Sequence, residues 1–416
     1  MTKNSKGAIE VNGRRYKIPD TPVVVICFDG CDPRYISHGL KSDLFPNISQ
    51  IVSKGFYGIA DAVMPTFTNP NNMSIVAGAP PKVHGISGNY YLDKASGKEI
   101  MITDASLVSS GTILGTLSQN GVRVAVVTAK DKLRKMLGSG LNGICFSSEN
   151  AKDATMADNG IDDVEALVGR PTPSMYSPDL SLFVLDAGVK LLERRSADVL
   201  YLSLSDMVQH SAAPGEELAD TFNREVDKRV GRLMELGAVV GIVADHGMTE
   251  KCAPDGEPSV VYLEAELNKK FGAGSVRVIC PITDPFVKHH GALGSFVRVY
   301  ATGKTSAEEL MDTAARIPGV ALVLDGRSAA ERYEMPLERE GDFIAIGDTF
   351  TAIGSRPDEH DLSGLNGHRL RSHGGLSEQP VPFMVSKPLN AAYQKVVADR
   401  RLRNFDIFDF ALNGVG

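Results

Sequence analysis

At 416 residues, 43% of them hydrophobic and 23% charged, the chain is too long for one small core and too apolar to remain disordered. A formal net charge of −7 gives no reason to expect nucleic acid or an anionic membrane as partner, so attraction for an anion has to be local. The five cysteines, at 27, 31, 145, 252 and 280, contain no CxxC pair, which argues against a disulfide framework and a structural zinc knuckle.

No apolar run reaches the roughly 20 residues of a membrane span. The N-terminal MTKNSKGAIEVNGRRYKIPD lacks the apolar core of a secretory signal, and a cytoplasmic location is the expectation.

In chain order, the first buried strand is PVVVICF at 22–28, and it ends on Asp29. In MPTFTNPNNMSIVAG, Thr68 stands just before Asn69-Pro70 and an apolar helical stretch. That places Thr68 at or next to a helix N-cap, with Pro70 suited to the first helical position. VRVAVVTA at 122–129 runs into Lys130, and ADVLYLSLS at 197–205 into Asp206. AVVGIVA at 238–244 stops on Asp245-His246.

Continuous apolar runs of this kind are how parallel strands covered on both faces appear, and the segments between them have room for crossover helices. The expected fold is therefore α/β, a doubly wound and mostly parallel sheet. The texture changes after Cys252. SFVRVYA (295–301), SAEELMDTAARI (306–317) with Ser306 and Glu309 in capping-box spacing, VALVLD (320–325) and DFIAIGD (342–348) form a run of their own. We expect a smaller α+β cap inserted over 253–367, with residues 1–252 and 368–416 forming the core; the strand PFMVS at 382–386 returns to the main sheet.

Open parallel sheets bind ligands beyond the carboxyl ends of their strands, where this chain places Asp29, Lys130, Asp206 and Asp245-His246. Asp206 and His210 are four apart in SDMVQH, on one side of a helical turn. His373 sits in the glycine-bearing loop RSHGG. Asp29, Asp206, Asp245, His210, His246 and His373 together make three carboxylates and three imidazoles, the donor set for two borderline-hard divalent ions, zinc first and manganese or iron second. Thr68 is the candidate nucleophile: a metal touching it would lower the hydroxyl pKa, and the helix N-terminus would favour an anion. Taken singly, each feature has a plainer reading, a capping threonine or a capping aspartate with an unrelated histidine.

In that order, VVVICFDGCDP, MPTFTNPNNMSIVAG, SDMVQH, VADHGM and RSHGG resemble the alkaline phosphatase superfamily, over about residues 22 to 386. The resemblance implies a binuclear metal site, a Ser or Thr nucleophile and an inserted cap. It would place Asp29, Thr68, Asp245 and His246 around one metal and Asp206, His210 and His373 around the other.

Two branches look similar: the nucleotide pyrophosphatase/phosphodiesterases, and the enzymes that hydrolyse the carbon–phosphorus bond of phosphonoacetate. TFTNPNN and GISGNYYLD make the second the nearer resemblance, and both imply that Asn89 contacts a phosphoryl oxygen. Lys130 and Lys132 in TAKDKL read most simply as solvated lysines opening a helix, but beside two metals they suit a substrate with a carboxylate at one end. The chain has no tryptophan to offer a base-stacking slot.

The expected partners are a small anionic phosphonate substrate, no nucleic acid and no membrane; a homodimer is compatible. The expected reaction converts phosphonoacetate and water to acetate and phosphate through a phosphothreonine. A phosphodiesterase on the same core is one alternative, and a noncatalytic metal- or phosphonate-binding protein the other. His289, His290, His84, His368, His38 and His360 receive no role.

Overall fold

The computed structural model describes residues 7–103, 105–285, 288, 290–365 and 367–416. After an N-terminal antiparallel hairpin of Ala8–Val11 with Arg14–Lys17, the chain contributes to the main sheet β1 (Val23–Cys27), β2 (Phe56–Asp61), β3 (Val124–Thr128), β4 (Ile144–Ser147), β5 (Val199–Ser203) and β6 (Val239–Val243). It then makes a separate sheet from β7 (Val276–Ile279), β8 (Phe296–Ala301), β9 (Val320–Asp325) and β10 (Phe343–Gly347). It returns with β11 (Pro380–Val385) and β12 (Leu402–Arg403).

The main sheet has eight strands in the order β12-β2-β11-β6-β1-β5-β3-β4. Its pairings are parallel except for those of β11, which runs antiparallel to both β6 and β2. This is the α/β, mostly parallel architecture expected, with PFMV of the expected PFMVS segment inside its one reversed strand and Ser386 just beyond it. β1, β3, β5 and β6 are buried at every position, which is why they read as unbroken apolar runs. Two strands have no such signature. FYGIAD in β2 is mostly half-buried around Gly58, and β4 is only four residues long.

Helices α1 (Thr68–Ala77), α2 (Asp131–Leu137), α3 (Asp179–Glu193), α4 (Met207–Ser211), α5 (Glu217–Glu235) and α6 (Ile407–Asn413) position the site or cover the sheet. In α5 the buried Ala219, Phe222, Val226, Val230 and Leu233 recur at helical spacing and face inward. Gly241 of β6 lets α6 approach closely, because a Cβ there would stand 3.1 Å from the Ile407 side chain. Among the described residues no helix is long and apolar enough to cross a membrane.

Strands β7 to β10 form an antiparallel sheet in the order β7-β8-β10-β9. The helix Ala307–Ala314 packs with it, and the Ser306 side chain accepts the Glu309 N–H as the capping spacing requires. Its hydrophobic cluster includes Leu267, Val278, Phe296, Val299 and Phe343, and it also takes in Met64 and Phe67 from the segment entering α1. A second tie is ionic. The fully buried Arg298 of β8 donates to Glu340 at 2.9 and 2.6 Å and to the Ser87 carbonyl at 2.9 Å, anchoring the GISGN loop.

Removing one member of such a pair strands a buried charge. Arg298→Met should lower the unfolding free energy by about 3–5 kcal/mol, whereas Arg298→Met with Glu340→Leu should recover much of that loss. Urea denaturation of both variants measures the difference.

Candidate metal centre

Cys27 of β1 lies level with Val243 of β6 and with Ser203 of β5, and Ser203 is level with Thr128 of β3. Two residues beyond this row come Asp29, Asp245 and Lys130, and three beyond Ser203 comes Asp206. The parallel register thus delivers charged side chains from separate strands to one edge of the sheet. Asp206 then opens α4, but its carboxylate makes no capping hydrogen bond. It turns to His210 one helical turn on, with Oδ2 3.1 Å from Nε2.

Six ligand atoms fall into two buried groups, Asp29 with Asp245 and His246, and Asp206 with His210 and His373. Within each, the atoms lie within 4.8 Å of one another. The groups adjoin: the His246 and His373 rings stack with centroids 3.5 Å apart, and His373 Nε2 is 3.7 Å from Asp206 Oδ2.

Each imidazole uses Nδ1 on a backbone carbonyl: His210 on Arg371 at 2.7 Å, His246 on Gly247 at 2.9 Å, and His373 on Thr66 at 2.7 Å. A ring donating from Nδ1 presents the lone pair of Nε2, the arrangement that orients histidine ligands. Asp29 Oδ1 and His246 Nε2 are buried and make no hydrogen bond, though they lie 3.4 Å apart. A cation between them would satisfy both atoms.

The electrostatics agree. Burial, with the charges of Asp206 and Asp245, pushes the Asp29 carboxyl well above its usual range. Burial raises Asp245 to about 6. Burial would raise Asp206 as well, yet Lys130 and His210 outweigh it and hold that group ionised. His373 is held neutral by burial and by His246 and His210. Three clustered carboxylates beside His246 and His373, whose imidazoles burial pushes toward the neutral form, are a site short of positive charge, which a pair of divalent ions would supply.

Thr68 is buried and is the first residue of α1, with Phe67 at the cap position and Pro70 third in the helix instead of first. Thr66 fixes this entry by donating from Oγ1 to the Gly375 carbonyl and accepting the Gly374 N–H, so the segments carrying Thr68 and His373 are strapped together. Asn89 accepts the Asn69 N–H through Oδ1 at 3.1 Å and donates from Nδ2 to the Ile282 carbonyl, which commits one of its two amide hydrogens.

Neither lysine is solvated. Lys130 is 1% exposed, with Nζ 2.6 Å from Asp206 and 3.2 Å from Asp29. Lys132, 7% exposed, pairs with Asp284 from the 253–367 region.

Three residues carry more of the site than the sequence suggests. Asn72 donates to Asp245 Oδ2 and the Thr68 carbonyl and accepts from Tyr201 and Ser203, tying α1 to β5 and the first triad. Its spacing of four from Thr68 was the available signal. Asp284 had none, since its partner is distant in sequence. His290 is buried with its ring 5.2 Å from that of His210, while His289 lies outside the described residues.

The profile of the type I phosphodiesterase / nucleotide pyrophosphatase family matches residues 23–369. The chain belongs to this family. Within it, the chain is 43% identical to a phosphonoacetate hydrolase from Sinorhizobium meliloti 1021, solved in complex with phosphonoformate and with phosphonoacetate. That match covers 99% of this chain and 100% of the other at a TM-score of 0.93. A 53-residue stretch is 53% identical to a phosphonoacetate hydrolase of Penicillium oxalicum, covering 12% of this chain and 74% of that one. Murine ectonucleotide pyrophosphatase/phosphodiesterase 5 shares the fold at 18% identity and a TM-score of 0.64, over 95% of this chain and 96% of its own.

Loss of a supporting residue around a metal typically lowers affinity by about 10–100-fold. Asn72→Leu should therefore weaken metal retention by roughly that factor in chelator competition, and Asp206→Ala should lower the metal content of the purified protein by elemental analysis.

Proposed function

We propose that the chain hydrolyses the carbon–phosphorus bond of phosphonoacetate, yielding acetate and phosphate, with Thr68 as nucleophile. Two zinc ions, or manganese or iron in their place, would be held by Asp29, Thr68, Asp245 and His246 and by Asp206, His210 and His373. The observation that carries this reading is a pair of buried ammonium groups beside the paired triads, Lys130 against Asp206 and Asp29 and Lys132 against Asp284. An anion with a carboxylate at its far end suits them, and the 43% identical relative was crystallised with such a molecule.

In this reading Thr68 Oγ1 attacks phosphorus, and the carbon–phosphorus bond breaks with its electron pair left on the methylene carbon. The neighbouring carboxylate spreads the charge as an enolate, which Lys130 and Lys132 stabilise as it develops. Protonation of that carbon, which balances the proton given up by the Thr68 hydroxyl, gives acetate. Asn89 holds a phosphoryl oxygen with its second amide hydrogen while water cleaves the phosphothreonine and restores the hydroxyl. Bound divalent ions would supply Lewis acidity, lowering the pKa of the hydroxyl and of water.

Residues 253–367 act as the cap and 1–252 with 368–416 as the core, a division supported by the contacts of Ile282, Asp284 and His290 with the site. A cytoplasmic location would keep the five free, buried cysteines reduced.

Phosphate release from phosphonoacetate by the metal-loaded protein should greatly exceed its turnover of an aryl phosphodiester. A strong preference for the diester would establish the phosphodiesterase alternative. Thr68→Ala should lose roughly a thousandfold or more in kcat. Full turnover by that variant would remove Thr68 from the chemistry.

A further inference from the structure

We propose that the Cys280–Asp284 turn is a ruler for substrate length, with Asp284 as the specificity-determining residue at its carboxylate end. The proposal rests on the roles given above to Asn89 and Lys132. The turn is closed twice over: Thr283 donates to the Cys280 carbonyl from its backbone N–H at 3.1 Å and from its hydroxyl at 2.8 Å.

One end of the turn grips Asn89. The Pro281 carbonyl accepts the Asn89 backbone N–H at 2.8 Å, and the Ile282 carbonyl accepts its side-chain amide at 3.1 Å. Gly88 permits that approach, because a Cβ there would come within 2.8 Å of the Pro281 ring. The other end holds Lys132 through the Asp284 carboxylate, itself 5% exposed. Burial alone would raise the Asp284 carboxyl, but Lys132, with His290 and Lys130, brings it to about 2, so this carboxylate stays ionised near neutral pH.

Asn89 and Lys132 arrive from distant stretches of the chain, Asn89 from the GISGN loop and Lys132 from the first turn of α2. The turn converts two independent positions into one fixed span. A phosphoryl oxygen at Asn89 and a carboxylate at Lys132 then have to be the right distance apart, and an extra methylene between them is penalised. Asp284 is a positioning residue in this account, since it acts through Lys132.

Phosphonoformate is one carbon shorter than phosphonoacetate and 3-phosphonopropanoate one longer. Neither leaves a carbanion delocalised by an adjacent carboxylate, so both can be titrated without being consumed. Calorimetric Kd values on the metal-loaded wild type should favour phosphonoformate by at least about tenfold; the two ligands differ by two methylenes, and one alone is worth about that much in a fitted pocket. In Asp284→Asn the difference should shrink to within about threefold. In Asp284→Glu, which keeps the charge but drives the ammonium inward, preference should move further toward phosphonoformate. Equal shifts of both Kd values in both variants, or no shift, would overturn the ruler, as would a wild type indifferent to length. Asp284→Glu retains the ion pair and keeps the test decisive should Asp284→Asn fail to fold. Phosphate release from phosphonoacetate is assayed in parallel: length-ordered binding without any release would overturn the proposed reaction and leave the ruler standing.

Discussion

Asp29, Asp206 and Asp245 are carried past the level ends of adjacent parallel strands into a space closed to water, where Lys130 reaches two of them. An isolated carboxylate taken out of water costs several kcal/mol even after relaxation, and a single ammonium cannot offset three. The sheet is paired in a register that brings these groups together, and slippage that parted them would break the hydrogen-bonded ladders of β1 with β5 and β6. A pair of divalent cations relieves it in place. Three carboxylates and one alkoxide would balance their charge, leaving a nearly neutral cluster able to receive an anion.

That arrangement is held from outside the ligand set. Three imidazoles spend Nδ1 on the carbonyls of Arg371, Gly247 and Thr66, and two of those carbonyls lie in segments remote from the histidine they hold. Asn72 satisfies both ends of its amide within one knot of α1, β5 and Asp245. On the far side, Glu378 accepts from the buried Lys251 at 2.9 Å and from the Gly375 N–H, bracing the loops that carry His246 and His373. Rigid support of this kind lets donors keep their geometry with no ordering cost when ligand arrives.

How much of this could be read from residues alone depends on where the information sits. Strands buried on both faces announce themselves by unbroken apolar runs, and the charged residue after each is local to it, so Asp29, Asp206 and Asp245 were legible. His210 followed from helical spacing. β2 was not legible, because its half-buried pattern mixes Gly58 with exposed positions, and β4 is too short to show a period. The lysines were legible as charges at a strand end, but their burial was not, since it depends on Asp284 for one and on the two aspartates for the other. Pro70 sits two residues deeper in its helix than expected, a boundary shift set by the Thr66 strap, which no local rule encodes.

The murine ectonucleotide protein shares this fold at 18% identity, so the core alone does not select a substrate. In the proposed reading the cluster at the strand ends meets the phosphorus-bearing end of the ligand, and the carboxylate end falls to Lys130 and Lys132. Lys130 leans on the cluster itself, whereas Lys132 is held by Asp284, outside the strand ends. A single turn, Cys280–Asp284, holds both Asn89 and Lys132, through carbonyls at Pro281 and Ile282 and a carboxylate at Asp284. Because these three contacts fall within four consecutive residues, changing that turn alters both grips at once, and it can vary without disturbing the sheet register that assembles the six ligands. In the proposed reading, the residues of the chemistry and the turn that sets substrate length thereby lie on separate stretches of chain.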